Sequence, residues 1–332
     1  MTEFLRLPAE EMQQILAALS VKLGRSAQIL LKDVWLCWTL ESLFSVQSSV
    51  RMAFKGGTSL SKVFGIIRRF SEDVDVSLDY RDLLEDPNDA PTGESSRSSL
   101  RRIAEHLKEQ VREHVEQHML PPLSAAFNEA THGLGRIELS EDGERLYLHY
   151  PSPLTLVGGY LTDWVLVEFG GRNVTEPSST HRVDPAIAQD LPTLKFPGAE
   201  VNVLSPERTF WEKATLVHVE CHRQRQFSVE RQSRHWYDLA MLSHSDIGRS
   251  ALANRSLLED VVRQKTFFFD AAYAHYDECL SGSFRLIPGE PQLEVLRHDY
   301  NQMIDAGMFE DTPPDFDVVL NLLRDLEACL TR

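Results

Sequence analysis

Cysteine is scarce and scattered. The 332 residues hold four, Cys37, Cys221, Cys279 and Cys329, with no C-x-x-C pair. That excludes a disulfide-built scaffold and a thiolate zinc site, and reduced thiols are expected. Basic charge is short as well: 34 Lys and Arg stand against 50 Asp and Glu, a net charge of −16. Such a chain cannot coat nucleic acid indiscriminately, and any RNA contact has to be a local basic patch in a repulsive field. No long apolar run is present. The most apolar window, 27–46, carries Lys32, Asp33 and Glu41, three charges that disqualify a membrane span of about 20 residues. The opening MTEFLRLPAEEMQQ has neither a basic start nor an unbroken apolar stretch, so a cytoplasmic location with no membrane contact is expected. The pattern G-x-x-x-x-G-K-[ST] is missing too, which removes P-loop nucleotide binding. What remains is an ordinary globular composition, 42% hydrophobic and 25% charged, long enough for two domains or one domain with an appended lobe.

The first 50 residues read as two helices, with Ile15, Leu16, Leu19 and Leu23 at helical spacing, a break near Gly24 and a second, more apolar segment. Trp35, Trp38 and Phe44 are expected in the core. A loop-rich stretch from Asp82 leads into a charged helix, 98–119, that Pro121 and Pro122 should stop. The segment 82–122 therefore looks like an insertion. RLYLHY and LTDWVLVEF read as strands, 175–197 as loop, and a run of helices follows Leu204. The chain after Gly289 is strongly acidic. The expected organisation is N-terminal helices over 1–50, a core over 51–200 and a helical lobe over 201–332.

The chemistry-bearing stretch is FKGGTSLSKVFGIIRRFSEDVDVSLDY, Phe54 to Tyr80. Leu60, Val63, Phe64 and Ile67 fall at i, i+3, i+4 and i+7, which predicts a helix with Gly56, Gly57, Thr58 and Ser59 at its N-terminus. Backbone N–H groups and absent side chains there suit a phosphate. Asp73, Asp75 and Ser77 then alternate with Val74, Val76 and Leu78, so two carboxylates share one strand face, their Cα atoms about 7 Å apart, and can converge on hard cations such as magnesium. Either element alone is common. Their order, with 14 residues between Thr58 and Asp73, is far more specific.

This order resembles the hallmark of the DNA polymerase β-like nucleotidyltransferase superfamily, and the wording FKGGTSL…RRFSEDVDVSL resembles the AbiEii nucleotidyltransferase toxin family. LLKDVWLCWTLESLF, VEFGGRN, LSPERTFWEKATLVH and SRHWYDLAML are similar to it as well. The resemblance implies an α+β nucleotidyltransferase fold, a mixed sheet flanked by helices with a helical C-terminal lobe. It implies an enzyme that moves an NMP from an NTP to a hydroxyl acceptor, tRNA being the expected one, with two Mg2+ ions or Mn2+ in their place. It also implies a toxin with a cognate antitoxin, in a toxin–antitoxin or phage-defence system. Lys55, Gly56, Gly57, Thr58, Ser59, Ser71 and Lys213 would hold the nucleotide. Asp73, Asp75 and Glu168 would hold metal, and Lys213 and Asp238 would join these carboxylates in catalysis. Read locally, Glu168 ends an apolar strand and could equally be a solvated edge residue. Lys213 could be a half-buried snorkelling lysine beside Phe210, and Asp238 the i+4 ion-pair partner of Arg234.

Two other readings stand beside this one: a non-catalytic RNA- or protein-binding module of the same fold, and an antibiotic-type nucleotidyltransferase with a small cationic acceptor. Two H-V-E-x-H strings, His114–His118 and His218–His222, displace the glutamate of the zinc-protease pattern and are expected to be surface or core histidines. Arg208, Lys213, Arg223, Arg225, Arg231 and Arg234, with His218, His222 and His235 nearby, form the most basic stretch. That stretch is either a solvated helix face or a strip for RNA phosphates, with Trp211 and Trp236 as stacking surfaces. Arg97, Arg101, Arg102, Lys108 and Arg112 could extend it.

Overall fold

The computed structural model describes residues 3–154, 160–223 and 231–331. The chain divides into two compact units, Met1–Val63 with Phe70–Leu204, and Phe64–Arg69 with Ser205–Arg332. The N-terminal helices therefore belong with the sheet. Six of the residues between the glycine turn and the D-x-D strand, Phe64–Arg69, group with the C-terminal helices.

In the first unit α1 (Ala9–Leu23) ends where Gly24 takes a left-handed φ of 65°, a conformation that favours glycine. Ser26 caps α2 (Ala27–Ser45) by accepting the Ile29 N–H. Trp35 and Trp38 are buried as expected, whereas Phe44 is half-buried. Two of the three charges that argue against a membrane span are themselves buried and paired: Lys32 with Glu72 at 2.5 Å, and Asp33 with Lys62. No helix among the described residues is long and apolar enough to cross a membrane.

One mixed sheet follows from β1 (Met52–Lys55), α3 (Gly56–Lys62), β2 (Asp73–Asp79), α4 (Tyr80–Leu83), α5 (Arg97–His114), α6 (Leu120–Ala130), β3 (Arg136–Leu139), β4 (Arg145–His149), β5 (Trp164–Asn173), β6 (Ser178–Val183) and β7 (Ala199–Leu204). Its seven strands run β3-β4-β5-β2-β1-β7-β6. The aspartate strand is thus central, antiparallel to β1 and parallel to β5. Along β5, Val165, Val167, Phe169 and Gly171 are buried while Trp164, Leu166, Glu168 and Gly170 are half-buried, so one face is core and the other stays partly open within this unit. Two readings are corrected here. The charged helix does not stop at Pro121: helical backbone continues through a π turn, Val115–Met119, into α6. Pro121 and Pro122 follow the π turn directly, in the first turn of α6. The stretch 175–197 also contains β6, whose exposed, polar Ser-Ser-Thr-His-Arg sequence hides an edge strand.

The second unit is helical: α7 (Pro206–His222), α8 (Ser233–Ser243), α9 (Asp246–Ala253), α10 (Arg255–Phe268), α11 (Tyr276–Leu280), α12 (Glu290–Asp305) and α13 (Phe316–Leu330). Ser205 caps α7 by accepting the Arg208 N–H. The start of α8 is capped from α12, since buried Asp299 accepts the N–H groups of Arg231 and Ser233.

Candidate active site

The helix after the glycine turn is shorter than its apolar spacing predicts. It closes at Lys62, and Phe64 and Ile67 lie beyond it, on either side of Gly65 with its left-handed φ of 60°. Gly56 has φ 79°, and a Cβ there would fall 2.0 Å from Asp75 Oδ2. Only glycine lets the turn lie against the carboxylate. Thr58 Oγ1 donates to the Asp73 carbonyl at 2.5 Å and Ser59 Oγ to the Gly56 carbonyl at 2.9 Å. The first bond ties the turn to the start of β2 and the second closes the turn on itself, and what the turn offers an anion is its backbone N–H groups. Ser71 is buried two residues before Asp73. Between them Glu72 is pinned by Lys32, whose ammonium also donates to the hydroxyl and carbonyl of Thr162 at 2.7 and 3.0 Å.

Register brings the carboxylates together. Lys55 pairs with Asp75, Asp75 with Glu168 and Glu168 with Arg145, so one row across four strands reads Lys, Asp, Glu, Arg on the half-open face. Neighbouring strands lie about 4.8 Å apart. Glu168 is therefore in mid-strand rather than at a strand end. It is 41% exposed and accepts from Arg145 Nε at 2.8 Å. Two adjacent carboxylates with Asp73 on the same face are a hard oxygen donor set for a divalent cation. Ser77 Oγ, next along that face, is buried without a hydrogen-bond partner among the described residues.

Lys213 and Asp238 lie in the second unit and are paired with each other. Asp238 is fully buried, accepting Arg69 Nε and a terminal nitrogen at 2.8 Å each, while Lys213 Nζ sits 2.9 Å from Oδ2. Burial alone would raise its carboxyl; the charges and bonds of Arg69 and Lys213 overcome that and hold it well below the usual carboxylate range. The basic stretch is corrected. Arg208 is buried against Asp260 and Gln264, and Arg223 bonds Glu220 and Tyr273. Trp211 and Trp236 are core residues whose indole N–H groups donate to the carbonyls of Ala251 and Leu286. They offer no stacking surface. Arg225 falls outside the described residues.

Three residues escape a reading of the sequence alone. Arg145 belongs to a strand that resembles nothing diagnostic, Arg69 looks like half of an ordinary Arg-Arg pair, and Lys32 looks like a stray charge in an apolar helix. A charge in an apolar run was the available signal for the last.

A glycine turn pressed against a carboxylate on a central strand is an arrangement that suits the transfer of phosphorus-centred groups. The chain belongs to the family described as nucleotidyl transferase AbiEii toxin, type IV toxin–antitoxin system, whose model matches residues 38–322. It is accordingly a nucleotidyltransferase, and membership implies an NTP substrate and a cognate antitoxin. Among solved structures it is similar to MenT4, nucleotidyltransferase toxin Rv2826c from Mycobacterium tuberculosis H37Rv, at 18% identity over 98% of each chain with a TM-score of 0.47. No curated protein matches it.

Proposed function

We propose that the chain moves a nucleoside monophosphate from an NTP to a hydroxyl of tRNA, releasing pyrophosphate, in a magnesium-dependent reaction that serves toxicity or phage defence. The observation that carries the reading is the contact of Gly56 with Asp75, which makes the phosphate-facing turn and the carboxylates one construction. The donor set fits the metal: Asp73, Asp75 and Glu168 are hard oxygen ligands on one face, and the missing Cβ of Gly56 keeps the space beside Asp75 Oδ2 open. Mg2+, or Mn2+ in its place, would be held by Asp73 and Asp75 with Glu168 beside them, and supplies charge neutralisation for the triphosphate and polarisation of the acceptor hydroxyl.

The residues of the chain do the rest. Backbone N–H groups of Gly56, Gly57, Thr58 and Ser59 orient the phosphates, and Lys55 adds positive charge at the turn. The acceptor oxygen attacks the α-phosphorus, the bond to the β,γ-pyrophosphate breaks, and the hydroxyl proton passes to a carboxylate, for which Glu168, steadied by Arg145, is the candidate. By the family pattern Lys213 is the lysine that serves the triphosphate. Asp238, saturated by Arg69 and Lys213, is a positioning residue and not a base. Exposed Arg97, Arg101 and Arg102 at the start of α5 are the basic contacts the first unit offers an RNA backbone.

Incubation with each labelled NTP, Mg2+ and total tRNA is the test. Wild type should label tRNA from at least one NTP, and Asp75→Asn should lower transfer by at least about 100-fold. Label appearing on an aminoglycoside and not on tRNA would move the acceptor to the antibiotic class.

A further inference from the structure

In the second unit, where the end of α7 meets the turn before α11, ligand-grade side chains converge. His218 and His222 stand one turn apart with ring centroids 4.6 Å apart, and His222 is 4.4 Å from His275, the residue before α11. Glu278 places one carboxylate oxygen 3.5 Å from His222 Nε2 and the other 3.3 Å from His275 Nδ1. Ligand-capable atoms of His218, His222 and Glu278 all lie within 4.8 Å of one another.

We propose that His222 Nε2, His275 Nδ1 and the Glu278 carboxylate bind a divalent transition-metal ion of the zinc class, fastening the end of α7 to α11. Two imidazoles and a carboxylate are a zinc donor set. Glu278 turns one carboxylate oxygen toward His222 Nε2, at 3.5 Å, and the other toward His275 Nδ1, at 3.3 Å, so its carboxylate stands between the two rings. His222 Nε2 is shielded from solvent and has no hydrogen-bond partner among the described residues, an arrangement that costs free energy unless a ligand completes it. His275 takes a left-handed backbone with φ 47°, strained for a residue with a Cβ.

His218 explains how His275 is held there. Its Nδ1 accepts the Arg285 N–H at 2.9 Å, so its Nε2 carries the proton and donates to the His275 carbonyl at 3.1 Å. His218 has both nitrogens engaged and positions a ligand instead of being one, the outer-shell role that metal sites commonly use. Glu278 and His275 are 37% and 43% exposed, which leaves an entry path and room for water as a fourth ligand. The hard magnesium ion has no preference for such nitrogen donors.

Calorimetric titration of the EDTA-stripped full chain with Zn2+ tests this, with metal content measured in parallel. One zinc per chain is expected, undisplaced by excess Mg2+. His222→Ala and the near-isosteric Glu278→Gln should each weaken binding at least about tenfold, and His218→Asn less. His118→Ala, altering the other histidine pair, should change nothing. Wild-type affinity matching that of both ligand variants overturns the site, as does a stripped wild-type chain that takes up no zinc. The readout is binding, so it stands or falls apart from nucleotidyl transfer.

Discussion

In the first unit Asp75 sits half-buried on a sheet face, with Glu168 as its register neighbour and a glycine pressed against its carboxylate. In the second unit Asp238 is fully buried and accepts two guanidinium bonds and an ammonium. One residue type thus does two jobs, and solvation separates them. Carboxylates gathered at a part-open surface, with Lys55 and Arg145 at the two ends of their row, are placed to meet a cation, so their arrangement favours binding over stability. A buried carboxylate matched to two cations is neutralised already, and removing it leaves charge stranded in a poor solvent.

The largest expected effect is therefore a contrast in stability. Asp238→Asn should cost about 3–5 kcal/mol, lowering the melting temperature by about 10 °C, whereas Asp75→Asn, at a half-buried position, should lower it far less while cutting transfer at least about 100-fold. Equal melting temperatures in differential scanning calorimetry would break the comparison. Next comes the glycine contact. Gly56→Ala places a Cβ on Asp75 and forces φ 79° on an L residue, with a strain of about 1–2 kcal/mol, and transfer should fall at least about tenfold. Gly24→Ala, also left-handed but with nothing within 4 Å of its Cβ, should show similar strain and undiminished transfer. If both lose activity alike, the contact with Asp75 has no catalytic meaning. The smallest effect is in pH. Because the Asp238 carboxyl is depressed in the folded state, its contribution is complete above the unfolded value of about 3.9 and is lost as pH falls through the folded one. The melting-temperature gap between wild type and Asp238→Asn should hold from neutrality to about pH 5 and narrow below about pH 4. A gap independent of pH would mean that charge is not what Asp238 contributes.

The parts of the site legible in sequence are those where function and local geometry coincide. Strict alternation put Asp73 and Asp75 on one strand face, and the Gly-Gly pair marked a turn that admits no Cβ. The apolar spacing through Phe64 and Ile67 misled, because apolar residues at helical period are also what a buried non-helical segment needs; Gly65 breaks the helix and Phe64–Arg69 packs with the second unit. Trp211, Trp236 and Arg208 misled for a related reason. A basic, aromatic string looks like a surface, but each of these side chains finds a partner a long way off in sequence, and composition does not say which residues will be satisfied internally.

The amino-acid order by itself determined the strand carrying the aspartates, the turn before it and the family to which the chain belongs, since each is written in a few contiguous residues whose conformations are set by local sterics and side-chain period. Tertiary structure alone decided which carboxylates are neighbours and which are neutralised. Glu168 reached Asp75 through strand register, Arg69 reached Asp238 across 169 residues, and His275 reached His222 through the packing of α11 against α7. A charge is read from sequence, but its energy depends on distance and solvation, and both are fixed only when distant segments pack together.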